Sequence, residues 1–208
     1  MSVRLREHKK RQTRQAISDA ATRLFLERGF EAVTIAEIAS AAQVAKMTVT
    51  NYFPRKEDLA LDAHEAFVAC LAHTVANREQ GESALAALRR EFLAALERRD
   101  ALLGFSSPGF ARMIADSPTL TARLRDLYGR REDALARVLT TAPGDFTPRA
   151  VAALLSATHR ALFQQVMELT AEGRDNEEIA AIVAESSRQA FDLLEPSLAG
   201  YAVRPRPS

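Results

Sequence analysis

The sequence predicts an all-α fold in which a small N-terminal three-helix helix-turn-helix domain precedes a larger C-terminal helical domain. Three observations carry that expectation. Alanine and leucine dominate, aromatic residues make up 6% and Trp is absent, so intrinsic propensity favours helix over strand. Apolar residues recur at i, i+3, i+4 and i+7 rather than alternating. The periodic stretches are interrupted at Gly and Pro, as at Gly29, Pro54, Gly81, Gly104, Pro143-Gly144 and Gly173. With 208 residues, 47% hydrophobic and 26% charged, the chain has the balance of a globular protein with one or two cores.

The opening segment is basic: Arg4, Arg6, Lys9, Lys10, Arg11 and Arg14 face only Glu7. Residues 1–12 therefore read as an arm suited to a phosphate backbone, or equally as a solvated terminus. From Thr13 to Arg28 the residues Ala16, Ile17, Ala20, Ala21, Leu24 and Phe25 form one buried stripe of a helix. Gly29 supplies its left-handed cap, with Phe30 folding back as the apolar contact of that cap. Thr34-Ile35-Ala36-Glu37 has the form of a capping box and opens a second helix, which reaches about Ala42. The Gln43-Val44 link leads into a third helix from Ala45 to Phe53, which Pro54 ends.

A long fourth helix is expected from Arg55 through Val75, ending near Gly81, and a fifth from Ser83 to Arg99. After the break from Gly104 to Gly109 come a short helix, Phe110 to Ala115, and a longer one, Pro118 to Thr140, with Ser117 as N-cap and Pro in its first position. Ala142-Pro143-Gly144-Asp145 is the clearest linker, followed by helices from Thr147 to Glu172 and from Asn176 to Leu194. Pro196 and the Arg204-Pro205-Arg206-Pro207 tail mark fraying. These elements make about nine helices, grouped as a helix-turn-helix domain over 13–58, a second domain over 59–196 and a flexible tail over 197–208.

Composition excludes several classes of function. Cys70 is the one cysteine, so the chain has neither a disulfide framework nor a cysteine zinc site, and a reducing cytoplasm fits. No apolar stretch approaches the length of a bilayer span, so no membrane partner is expected. His8, His64, His73 and His159 are scattered. With no Gly-rich phosphate loop and no metal or nucleophile spacing, the chain is expected to carry no catalytic residue, metal or cofactor, and to be no enzyme.

The segment from Thr34 to Leu59 carries the functional signal. Ile35, Ile38, Ala39, Ala42, Val44, Val49 and Phe53 are spaced to pack two helices together and against Leu24 and Phe25. Lys46, Met47, Thr48, Thr50, Asn51 and Tyr52 remain on the outer face of the third helix. A recognition helix needs that arrangement, donors and acceptors for base edges on a narrow outer face and a fixed apolar inner face. Asn51 suits a paired contact to adenine, Thr48 and Thr50 a phosphate or thymine methyl, and Lys46, Tyr52 and Lys56 the backbone. Taken singly, each is also an ordinary solvated polar position.

The run RGFEAVTIAEIASAAQVAKMTVTNYFPRKEDL, within residues 13–61, resembles the N-terminal domain of the tetracycline-repressor (TetR) family of bacterial regulators. Gly29-Phe30, Thr34 and Tyr52-Phe53-Pro54-Arg55-Lys56 carry the likeness. It implies that Thr34, Lys46, Met47, Thr48, Thr50, Asn51, Tyr52 and Lys56 contact DNA. Met47 and Asn51 depart from the residues frequent at their positions, so the operator sequence does not transfer. Beyond this run the similarity is one of length and helix pattern.

The resemblance further implies a homodimer, paired through the last two helices, and middle helices that enclose a pocket for a small apolar effector. Ile179, Ile182, Val183, Ser186, Ala190, Leu193 and Leu194 form one stripe, and Val151, Leu154, Leu155, Thr158, Leu162, Val166 and Leu169 another. Either stripe serves a dimer interface or an intrachain core. A dimer also follows from the recognition helix, which reads few base pairs of double-stranded operator DNA alone. Candidate pocket residues are Phe67, Leu71, Phe92, Leu96, Leu103, Phe105, Phe110, Met113, Phe163 and Met167, with His159 and Gln164 as polar anchors. The implied protein is a repressor that an effector releases from a pseudo-palindromic operator by a population shift. The alternative is a helical DNA-binding dimer or adaptor without a ligand.

Overall fold

A computed structural model describes residues 2–205, and side chains from residue 6 onward. Arg4's side chain and the tail beyond Pro205 lie outside the described residues. The described chain is all helical, with ten α-helices, one short 3-10 turn and no strand. It divides into two compact units, one made of residues up to His64 with Arg112–Arg123, the other of Glu65–Ala111 with Leu124 onward.

The first unit contains α1 (Ser2–Arg28), α2 (Ile35–Ala41), α3 (Lys46–Tyr52) and α4 (Glu57–Ala60). The basic arm is not a separate element. It is helical from Ser2, and Thr13 Oγ donates to the Lys9 carbonyl at 3.0 Å with no interruption at the expected start. Arg, Lys, Glu and Gln are good helix formers, and nothing between residues 2 and 28 breaks the run. Gly29 adopts φ +83°, and its amide donates to the Phe25 carbonyl at 2.9 Å. The Phe25 and Phe30 rings meet at 5.0 Å, the apolar contact that such a cap favours.

The long fourth helix is two helices, α4 and α5 (His64–Ala76). Leu61 leaves the helical region at φ −110°, ψ 52°. The reason is tertiary: Ser18 Oγ donates to the Asp62 carboxylate at 2.8 Å, and Arg14 donates to the Asp62 carbonyl at 3.3 Å. Those bonds to α1 hold residues 61–63 out of helical register.

The second unit holds α5, α6 (Ala84–Glu97), the turn Ala101–Leu103, and α9 (Thr147–Glu172) packed on α10 (Asn176–Leu198), which also lies against α6. Between them in sequence are α7 (Pro108–Asp116) and α8 (Pro118–Leu139), whose residues 112–123 belong to the first unit. The second core joins Leu71, Leu85, Leu88, Phe92, Leu135, Leu155, Val166, Val183 and Phe191. Gly104 is required here: at φ +103° its absent Cβ would lie 3.1 Å from Met167 Cγ and 3.2 Å from the Phe163 carbonyl.

The tail differs from expectation up to Arg204. α10 continues through Pro196 to a buried Leu198. Gly81 then donates to the Arg204 carbonyl at 2.8 Å, Arg204 donates to Glu82 at 3.0 Å, and Arg78 Nε reaches the Ala202 carbonyl at 2.8 Å. These partners lie more than a hundred residues upstream, out of reach of any local signal.

Candidate nucleic-acid interface

α3 has seven residues, too few to be stable alone. Its position depends on burial of Val49 within it and Phe53 at its end, which with Ile17, Phe25, Val33 and Ile38 are among the buried residues of the first unit. Full burial of each large apolar side chain contributes about 1.5–3 kcal/mol. α2 is set by the expected capping box: Thr34 Oγ accepts from the Glu37 amide at 3.3 Å, and Glu37 Oε2 accepts from the Thr34 amide at 2.8 Å. The turn to α3 passes through Gln43 at φ +55°.

The outer face of α3 is open. Lys46 and Asn51 are exposed, Met47 is 69% exposed, and Thr48, Thr50 and Tyr52 are half-buried. The structure thus brings these six together on one short helix. Thr50 Oγ donates to the Met47 carbonyl at 3.1 Å, so its proton is engaged within the helix. Asn51 offers an amide and a carbonyl side by side, the pair that matches the N6 and N7 edge of adenine.

Thr34 and Lys56 are placed differently from the rest. Thr34 is exposed, but its hydroxyl is engaged by Glu37. Lys56 turns inward: its ammonium lies over the Phe30 ring at 4.3 Å and donates to the Phe30 carbonyl at 2.5 Å. Burial there lowers its pKa below the usual lysine value. In this arrangement Lys56 closes the turn after α1 rather than facing outward. Arg14, counted in the basic opening segment, instead stacks its guanidinium on Phe53 at 4.4 Å and ties α1 to the end of α3. Arg6, Lys9, Lys10 and Arg11 are exposed along α1.

A short, polar, exposed helix presented from a fixed apolar base by two preceding helices defines a helix-turn-helix DNA-binding protein. Residues 17–63 match the family model of bacterial regulatory proteins of the tetR family. Over 171 residues the chain is 31% identical to the HTH-type transcriptional regulator TcmR of Streptomyces glaucescens, covering 77% of this chain and 76% of that one. The chain belongs to the TetR family of transcriptional regulators, DNA-binding proteins and not enzymes. Solved structures agree in fold. The SmeT–triclosan complex matches with TM-score 0.57 at 19% identity, over 95% of this chain and 100% of that one. NalD of Pseudomonas aeruginosa, a secondary repressor of the MexAB-OprM multidrug efflux pump, matches with TM-score 0.55 at 20% identity, over 88% and 97%.

The second unit contains a cavity of about 70 Å3. Of the residues expected to line a pocket, it gathers Leu71, Phe92, Leu103 and His159. The others lie elsewhere. Phe67, Leu96, Phe105 and Phe163 are buried in packing, Phe110 and Met167 are half-buried, and Gln164 is exposed. Met113 is buried in the first unit. Their helical spacing reflects core formation, which periodicity alone does not separate from a ligand wall. Cys70 and Arg131 also line the cavity. The signal for Arg131 was an arginine in apolar phase between Leu127 and Leu135 on α8. Among the described residues no helix is long and apolar enough to cross a membrane.

Proposed function

We propose that this protein is a ligand-responsive repressor that binds a pseudo-palindromic operator as a homodimer. One observation carries the DNA-reading half: the polar outer face of α3 is open while its inner face is anchored by Val49 and Phe53. Lys46, Met47, Thr48, Asn51 and Tyr52 meet the major groove, Asn51 pairing with a base and Lys46 with a phosphate. Thr50 joins them on rotation of its hydroxyl. Thr34 and Lys56 act chiefly by holding α2 and the turn after α1, their polar atoms being engaged there.

Dimer formation is supported by an apolar face of α9 and α10 left open among the described residues: Leu193 is 80% exposed and Leu154 50%, with Ile182, Ser186 and Ala190 half-buried on the Leu193 side, while Leu194 packs on the intrachain core. The other halves of the two stripes, Val151, Leu155, Leu162, Val166, Ile179 and Val183, are intrachain core. The cavity of the second unit supports the sensor role over the ligand-free alternative. Effector binding there changes the relative population of two arrangements and, through the chain crossings near residues 64, 111 and 123, operator affinity.

The test is selection of genomic fragments on the full-length protein, followed by titration of a selected duplex at two salt concentrations. Asn51→Ala is expected to weaken binding by about 1–3 kcal/mol and relax preference at one base pair. Lys46→Ala is expected to weaken all duplexes alike and lower the salt slope by about one. Binding that ignores sequence and both substitutions overturns the reading.

A further inference from the structure

The cavity of the second unit has a chemistry that an apolar guest does not explain. Arg131 is 4% exposed, and its guanidinium lies 4.7 Å from the centroid of the Phe67 ring. Among the described residues it has no ion pair and no hydrogen bond beside that ring contact. The titratable groups facing it supply no counter-charge. Burial pushes the Cys70 thiol up and the Tyr128 phenol up to about 12, so both are neutral near pH 7. His159 is held neutral first by burial and then by Arg131 itself.

Two carboxylates lie on the cavity wall, and both are committed to Arg98. Glu91 accepts from Arg98 at 2.9 Å. Asp100 lies 3.7 Å from it and caps the Leu102 amide at 2.9 Å. A desolvated guanidinium without an anion is costly to retain. His159 also lines the cavity; its Nε2 is buried with no hydrogen-bond partner, while the ring is fixed edge-on against Phe92 at 5.5 Å and Phe191 at 5.7 Å. A neutral imidazole can place its proton on that nitrogen.

One guest satisfies both groups. We infer that the effector is an organic acid, its carboxylate held by Arg131 with His159 Nε2 as second donor and its flat apolar body against Leu71, Leu88 and Phe92. A planar guanidinium matches a carboxylate in two parallel hydrogen bonds. The cavity has room for roughly five water-sized groups, the scale of a carboxylate with part of a ring. This inference names the ligand class of the sensor proposed above and rests on that reading.

The test uses matched probes on the full-length protein: benzoate, cinnamate and 1-naphthoate against benzyl alcohol, cinnamyl alcohol and 1-naphthalenemethanol, titrated calorimetrically near pH 7. At least one acid is expected to bind about tenfold or more tightly than its alcohol. Arg131→Gln should erase that preference and Arg131→Lys retain part of it. Arg131→Met should leave the ligand-free melting temperature unchanged or higher, because a charge held for a ligand is a burden without it. No acid binding better than its alcohol, or a preference that survives Arg131→Gln, overturns the assignment. If Arg131→Gln fails to fold, the wild-type comparison and Arg131→Lys decide. Operator titration separates the two readings. Release by alcohols alone keeps the sensor and discards the acid, whereas Arg131-dependent acid binding that leaves operator affinity unchanged keeps the acid site and discards the sensor.

Discussion

Thr34 and Glu37 show how two side chains place a recognition element they do not belong to. The Thr34 backbone and hydroxyl, followed by Arg28 at 2.8 Å, lower the Glu37 carboxyl from its ordinary 4.5 to about 2. A carboxyl whose pKa is depressed on folding stabilises the fold above its unfolded value and loses that contribution as the proton returns. Stability should therefore fall as pH drops from about 4.5 to about 2. Thr34→Ala is expected to cost about 1 kcal/mol near neutrality and to flatten the acid-side slope in that window. Urea melts at several pH values measure both.

At the scale of elements, α4 is the piece whose placement the local sequence does not reveal. Asp58 on α4 and Arg123 on α8 form a buried pair at 2.8 Å within the first unit. Sixty-five residues separate them, so no helical period links the two. Removing one partner of such a pair leaves a buried charge. Asp58→Ala is expected to destabilise by about 3–5 kcal/mol, while the double replacement Asp58→Leu with Arg123→Met recovers most of it. A double-mutant cycle in urea, with the slope monitored, checks this. Glu31 adds a second tie within the unit, accepting from Ser117 at 2.6 Å, which holds its carboxyl below the usual range.

For the whole molecule, the consequential surface is the outward face of α9 and α10. Leu154→Glu with Leu193→Glu places charges where the proposed dimer excludes water and replaces two side chains that are 50% and 80% exposed. The expected outcome is a monomer mass by light scattering with an unchanged helical spectrum. Operator affinity should fall roughly 100-fold or more as one half-site's base contacts, about 1–3 kcal/mol each, are lost. A dimer mass for this variant would move the interface to another face.

The sequence by itself determined the all-helical fold, the cap at Gly29-Phe30, the capping box at Thr34, the N-cap at Ser117 and the polar face of α3. Each of these signals acts between residues a few positions apart, where backbone geometry alone brings the groups together. Tertiary structure decided the break at Leu61, the inward turn of Lys56, the return of Ala202 and Arg204 to the end of α5, and the burial of Arg131. It also decided which half of each α9 and α10 stripe is core, since an apolar stripe looks the same whether its partner lies in its own chain or in another. Those outcomes depend on hydrogen bonds, ring contacts and burial between distant segments, which become defined only when the helices pack.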